Sequence, residues 1–139
     1  MRLFIDANVI VAVLNRQYPL FPYAARILSL SDSSKYKIYT SPICLAIAFY
    51  FAEKKSGTLQ ARKKIGLLAE KLEVTTTDME TVQSTIRNAV IHDFKDGLEY
   101  YAALQSSCEM IISEDLSDFY FSDIPVHSCE SFFKEVFGS

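Results

Sequence analysis

Short apolar runs alternate along this chain with segments of helical periodicity, and that alternation restricts the fold more than any other feature. MRLFI, KIYTS, EVTT, EMIIS and IPVHS read as brief strands, because compact apolar runs bounded by polar or turn residues suit strands buried in a sheet. Between them, the segment from Tyr23 to Leu30 carries Ala24, Ile27 and Leu28 at helical spacing. Pro42 opens a helix through ICLAIAFYFAEK, since a proline in the first turn gives up no hydrogen bond, and the linker KSG ends it. From Thr58, the residues Ala61, Ile65, Leu68, Ala69 and Leu72 share a face, with Arg62, Lys63 and Lys64 between them. Thr77 followed by Glu80 predicts a capping box for a helix carrying Met79, Val82, Ile86 and Val90. HDFKDGLEYYAALQSS puts Phe94, Leu98, Tyr101 and Ala102 on one face, and ESFFKEVF closes the chain as a short helix. Strands separated by helices need crossover connections. The expected fold class is therefore α/β, a three-layer sandwich with a central parallel sheet covered on both faces.

With 139 residues, the chain fits a single domain spanning 1–139. Half its residues are hydrophobic and 22% are charged, so a core can form and disorder is not indicated. The net charge of -3 excludes the long-range field of a basic nucleic-acid binder, and any contact with RNA must be local or mediated by a metal. Lys54, Lys55, Arg62, Lys63 and Lys64 flank the KSG turn and read first as two solvated helix faces, with a strip for RNA phosphates as the alternative. The numerous tyrosines and phenylalanines belong mostly to the core, an excess being free to cover a homodimer or partner interface.

Cys44, Cys108 and Cys129 are odd in number and lack the C-x-x-C spacing, which points to small buried hydrophobes in a reducing cytoplasm. The longest apolar stretch, ICLAIAFYFA, is about half the roughly 20 residues a membrane helix needs, and Asp6 and Asn8 interrupt what would be a signal peptide. A cytoplasmic protein that does not enter the membrane is the expectation. His92 and His127 are far apart, and no glycine-rich phosphate loop is present, so nucleophilic triads and nucleotide cofactors lack support.

The acids fall where a parallel sheet collects ligands, outside the carboxyl ends of its strands. Asp6 ends MRLFI and Asp115 follows EMIIS, so both project from one edge, and Asp93 and Asp96 stand together at a helix start. A carboxylate at the edge of a core is costly unless paired. Several within a few ångströms cannot all stay ionised without a cation. All-oxygen ligands suit Mg²⁺ or Mn²⁺, and no Cys/His set has zinc spacing. The same residues also have ordinary structural readings: Asp6 as an Asx cap, Asp93 and Asp96 as helix amino-terminal acids, Asp115 and Asp118 as turn and cap residues.

In FIDANVI, DFKDGLEYYAAL and MIISEDLSDF, in this order and spacing, the chain resembles the PIN domain family, whose members are metal-dependent ribonucleases and often the toxins of VapBC-type toxin–antitoxin pairs. The resemblance implies that Asp6, Asp96 and Asp115 are catalytic metal ligands, with Asp93 an accessory ligand. Asn8 would hold the Asp6 loop, and Asp118 with Phe119 matches the family's closing pair of residues, in a supporting role. It further implies Mg²⁺ or Mn²⁺ as cofactor, RNA as substrate and an antitoxin protein as partner. One position departs from the pattern: the family's glutamate on the helix after the second strand aligns with Ile47, which cannot bind a metal. Glu99, one turn beyond Asp96, and Glu114, before Asp115, are the oxygens available to compensate, and Glu53 lies too far round its helix. Ile47 is also the main support for the competing reading, a PIN-fold protein with weakened catalysis that acts by binding RNA or a protein partner. A Mg²⁺-dependent phosphatase or response-regulator-like domain on a similar sheet is a more distant alternative.

Overall fold

The structure, a computed structural model, describes residues 1–138. Five strands form one sheet: β1 (Arg2–Ile5), β2 (Lys37–Thr40), β3 (Glu73–Val74), β4 (Met110–Ile112) and β5 (Val126–His127). All pairings are parallel, in the order β3-β2-β1-β4-β5. β1 is central, with Leu3 level with Ile38 on one side and Met110 on the other. The chain leaves β1 toward β2 and β3, then returns to the opposite side for β4 and β5. The strand order therefore reverses between β1 and β4, the place where such sheets open a crevice for ligands.

Among the described residues, seven α-helices flank the sheet: α1 (Ala7–Leu14), α2 (Phe21–Ser29), α3 (Pro42–Ser56), α4 (Thr58–Ala69), α5 (Met79–Arg87), α6 (Phe94–Gln105) and α7 (Cys129–Glu135). Helix α1 packs on α2 and α3, α3 on α4, α5 on α6, and α7 on α2. Leu3, Phe4, Ile5, Ile111 and Ile112 are fully buried. That explains why β1 and β4 read as unbroken apolar runs, for both of their faces are covered. The expected α/β sandwich with a central parallel sheet is the fold observed. Among the described residues, no helix is long and apolar enough to cross a membrane, and the three cysteines are free and buried.

Three local expectations change. The capping box of α5 is built by Asp78 and Thr81, not by Thr77 and Glu80: Asp78 Oδ1 accepts from Thr81 N at 3.0 Å while Asp78 N donates to Thr81 Oγ1 at 3.1 Å. This helix buries Thr81 and Thr85 and leaves Met79 and Ile86 exposed, with Val90 beyond its end and exposed as well. The cause lies on α6, where a Cβ on Gly97 would come within 2.4 Å of Thr85 Cγ2. The missing side chain lets the two helices approach along a face of small residues. The second change is in α6, where Phe94 is exposed and the buried face holds Asp96 and Glu99 beside Leu98, Tyr100, Ala102 and Ala103.

The third concerns the basic stretch around Gly57, whose φ of 84° makes the sharp turn between α3 and α4. Lys55 Nζ donates to Asn15 O, and Lys64 Nζ donates to Leu14 O at 3.2 Å. Two of these cations thus satisfy carbonyls at the carboxyl end of α1, where positive charge is favoured, while Arg62 and Lys63 remain solvated.

Candidate metal-binding cleft

Asp6 leaves the end of β1 with extended backbone and caps α1 through its own side chain, Oδ1 accepting from Ala7 N at 2.7 Å. Its other oxygen, Oδ2, accepts from Ser113 Oγ at 2.8 Å, which ties the end of β1 to the end of β4. The backbone supports the same junction, with Asp6 N donating to Ile112 O at 3.0 Å. Asn8 clamps the two loops. Its Nδ2 lies 3.4 Å from Asp6 Oδ2, 3.2 Å from Ser113 Oγ and 3.3 Å from Asp115 Oδ2, and its Oδ1 accepts from Glu114 N at 3.2 Å. Asp6 is thus both a cap and a buried carboxylate at the sheet edge, only 4% exposed.

Helix α6 brings two more buried acids. Asp93 caps it, with Oδ1 accepting from Lys95 N at 2.9 Å and from Asp96 N at 3.3 Å, and its side chain is exposed. Asp96, one turn in, is buried, and Glu99 is fully enclosed. Glu99 Oε1 accepts from Cys44 Sγ, on the first turn of α3, at 2.6 Å. The ligating atoms of Asp6, Cys44 and Glu99 all lie within 4.8 Å of one another. Burial, together with the hydrogen bond to Asp6 and the charge of that neighbour, pushes the Glu99 carboxyl up to about 9. Burial and the adjoining Glu99 and Asp6 likewise hold the Cys44 thiol well above its ordinary value, so it stays protonated and acts as a donor. Asp96 is raised by burial, against the pull of the Lys95 ammonium.

A cleft of about 330 Å³ opens above this junction, lined by Asp6, Asn8, Ile47, Lys95, Asp115 and Asp118 among others. Asp115 is exposed, and its N–H donates to Ser113 Oγ at 3.1 Å. Asp118 is partly buried, and its carboxyl is raised by burial and by Asp115. Asp96 meets the cleft through Lys95, whose Nζ stands 2.8 Å from Asp96 Oδ1. Glu114 turns away, its Oε2 accepting from Cys129 N at 2.9 Å at the start of α7. Ile47 lines the same cleft as Asp6 and offers only carbon there.

Three residues at the site escaped the sequence reading: Ser113, Cys44 and Lys95. The first two carried usable signals. Ser113 ends EMIIS, level with the carboxyl end of the neighbouring strand, and Cys44 lies three residues before Ile47 on one helical face. Lys95 is invisible as a site residue until Asp96 and Glu99 are known to point inward.

The donor set fits a hard divalent cation. It consists of carboxylate oxygens with a protonated thiol beside them, and two of its acids, Asp6 and Glu99, share a hydrogen bond. Asp6 and Glu99, which converge, and Asp115, which Asn8 links to Asp6, offer the oxygens for such an ion.

Several known proteins are similar to this chain. Ribonuclease VapC1 of Aquifex aeolicus (strain VF5) is 25% identical over 134 residues, which cover 94% of this chain and 92% of that protein. The crystal structure of VapBC2 from Rickettsia felis, bound to a DNA fragment from their promoter, superposes with a TM-score of 0.70 at 16% identity, covering 91% of this chain and 98% of that one. VapC20 of Mycobacterium tuberculosis, a toxin that cleaves the sarcin-ricin loop, gives a TM-score of 0.66 at 16% identity, covering 88% of this chain and 98% of that one. The PIN domain model matches residues 2–117, which include β1 with Asp6, α6 with Asp96 and Glu99, and the loop of Asp115. This chain belongs to the PIN domain family.

Proposed function

We propose that this protein is a metal-dependent endoribonuclease, hydrolysing RNA phosphodiester bonds with Mg²⁺ or Mn²⁺ held by Asp6, Asp96 and Asp115, and that it is the toxin of a toxin–antitoxin pair. The observation that carries the reading is the buried carboxylate of Asp6, fixed by Ala7 N and Ser113 Oγ at the point where the strand order reverses, with the oxygens of Glu99 and Asp115 beside it. When bound, the ion supplies Lewis acidity toward a phosphate and a local positive charge in an otherwise acidic cleft.

The chain's own residues supply orientation. Ala7 N and Ser113 Oγ hold the two oxygens of Asp6, so the carboxylate does not need to reorganise when substrate arrives. Asn8 keeps Asp115 in register with Asp6 across the two loops. Asp118, its carboxyl raised by burial and by Asp115, lines the same cleft.

The test is direct. Purified protein should cleave single-stranded RNA with Mn²⁺ or Mg²⁺, lose that activity in EDTA, and lose it again as Asp6→Asn. Equal background cleavage by wild type and Asp6→Asn under every metal would overturn the reading.

Ile47 favours a second reading, a PIN-fold protein with weakened catalysis that works by binding RNA or a protein. For partners, an antitoxin protein is supported by the resemblance to VapBC2, which is a toxin–antitoxin complex. A homodimer is supported by exposed apolar residues around α5 and the loop after it, Met79, Ile86, Val90 and Phe94. The buried free cysteines suit a reducing cytoplasm.

A further inference from the structure

Lys95 is the residue in this cleft that the family reading does not use. Its Nζ stands 2.8 Å from Asp96 Oδ1 and 3.3 Å from Glu99 Oε2. The spacing to Glu99 is the ordinary helical i,i+4 pair, which on a surface contributes little. Here the partners differ from that case: the Asp96 side chain is 5% exposed and that of Glu99 is fully buried, so neither can turn to water when the ammonium leaves. Lys95, half-buried, also lines the cleft together with Asp6, Asp115 and Asp118. Ile47, in the same lining, offers no anion. A cation added and an anion omitted change the cleft in the same direction, toward a smaller demand for divalent charge.

We propose that Lys95 is a tethered cation holding a cation position of this cleft, its ammonium standing where a divalent ion would otherwise be drawn to Asp96 and Glu99. The proposal rests on the metal-dependent reading above and adds a property of this chain to it. Engagement of Asp96 by the ion, and uptake of a further ion at Asp96 and Glu99, require that Lys95 be displaced. Lys95 is then a positioning residue that sets how many ions the site takes and how tightly.

The experiment is Mn²⁺ titration of the full chain, followed by calorimetry and by the electron paramagnetic resonance signal of free Mn²⁺, for wild type, Lys95→Gln and Lys95→Arg. Matched circular dichroism and melting curves confirm that each variant is folded. Wild type is expected to take up one Mn²⁺ per chain. Lys95→Gln is expected to take up a second, or to bind the first about tenfold or more tightly, because a unit positive charge has been removed from within a few ångströms of the ligands. Lys95→Arg, which keeps the charge, should behave as wild type.

If wild type binds one ion and Lys95→Gln matches it in number and affinity, the proposal fails and the metal-dependent reading stands. Two ions in wild type overturn it as well. If Lys95→Gln binds and wild type does not, Lys95 is supported as the occupant and the native protein is not a metal-dependent nuclease. If neither binds Mn²⁺, both readings fall.

Discussion

Asp6 and Glu99 lie 93 residues apart in the chain and meet in the core, their carboxyl oxygens within 4.8 Å of each other. One of the two must carry a proton when no cation is present, and burial next to Asp6 assigns that proton to Glu99, whose carboxyl rises to about 9. This pair gives the site its electrostatic character: acids collected by the sheet topology, neutralised in part by a proton and in part by Lys95.

A dependence of stability on pH follows from Glu99. Below its ordinary value of 4.5 the carboxyl is neutral in both folded and unfolded chains. Above it the unfolded chain ionises while the folded protein keeps its proton up to about 9, so the unfolded state binds fewer protons and stability falls as pH rises through that window. In metal-free protein the melting temperature should decline between about pH 5 and about pH 9, the window of that shift. Glu99→Gln should flatten the decline, leaving the smaller contribution of Asp96, which acts in the same direction. Melting curves across this range check it, and identical profiles for the two proteins would contradict it.

Ile47→Glu should place an anion in the lining that this position shares with Asp6. Mn²⁺ affinity, measured by calorimetry, is expected to rise at least about tenfold, a modest share of the energy two unit charges have about 4 Å apart at an effective dielectric near 20. Without metal the same variant should melt lower than wild type, since another acid joins an already crowded set. Unchanged affinity would mean that this side chain does not reach the ion.

Gly97 and Gly66 should respond oppositely to alanine. A Cβ on Gly97 meets Thr85 Cγ2 at 2.4 Å, so Gly97→Ala forces α5 and α6 apart and should cost about 1 to 3 kcal/mol in denaturant titrations. At Gly66, exposed in the middle of α4, nothing lies within 4 Å, and Gly66→Ala should add ~0.5 to 1 kcal/mol by removing the entropic penalty of glycine in a helix. A neutral Gly97→Ala would show that the two helices part without cost.

The sheet was legible because β1 and β4 are buried on both faces, and burial of that kind writes continuous apolar runs into sequence. The positions of Asp6 and Asp115 followed from strand ends alone. The α5 to α6 contact was not legible. Periodicity assumes that apolar residues face inward, whereas α5 buries Thr81 and Thr85 against Gly97, and its apolar residues face out. Asp93 and Asp96 illustrate the same limit at the site. They are three apart and look equivalent in sequence, yet one is spent capping the helix and stays exposed while the other is buried, a distinction fixed by how α6 is rotated against the sheet. Lys95 became a site residue only through that rotation.

The central claim, that these acids converge to share a divalent cation, is tested most directly by Mn²⁺ titration of wild type beside Asp6→Asn, with no substrate present. The asparagine keeps the capping of α1, so folding should be retained while one anionic ligand is lost. Saturable binding to wild type that disappears in Asp6→Asn is the expected result. Equal affinity in the two proteins, or no binding to either, would contradict it.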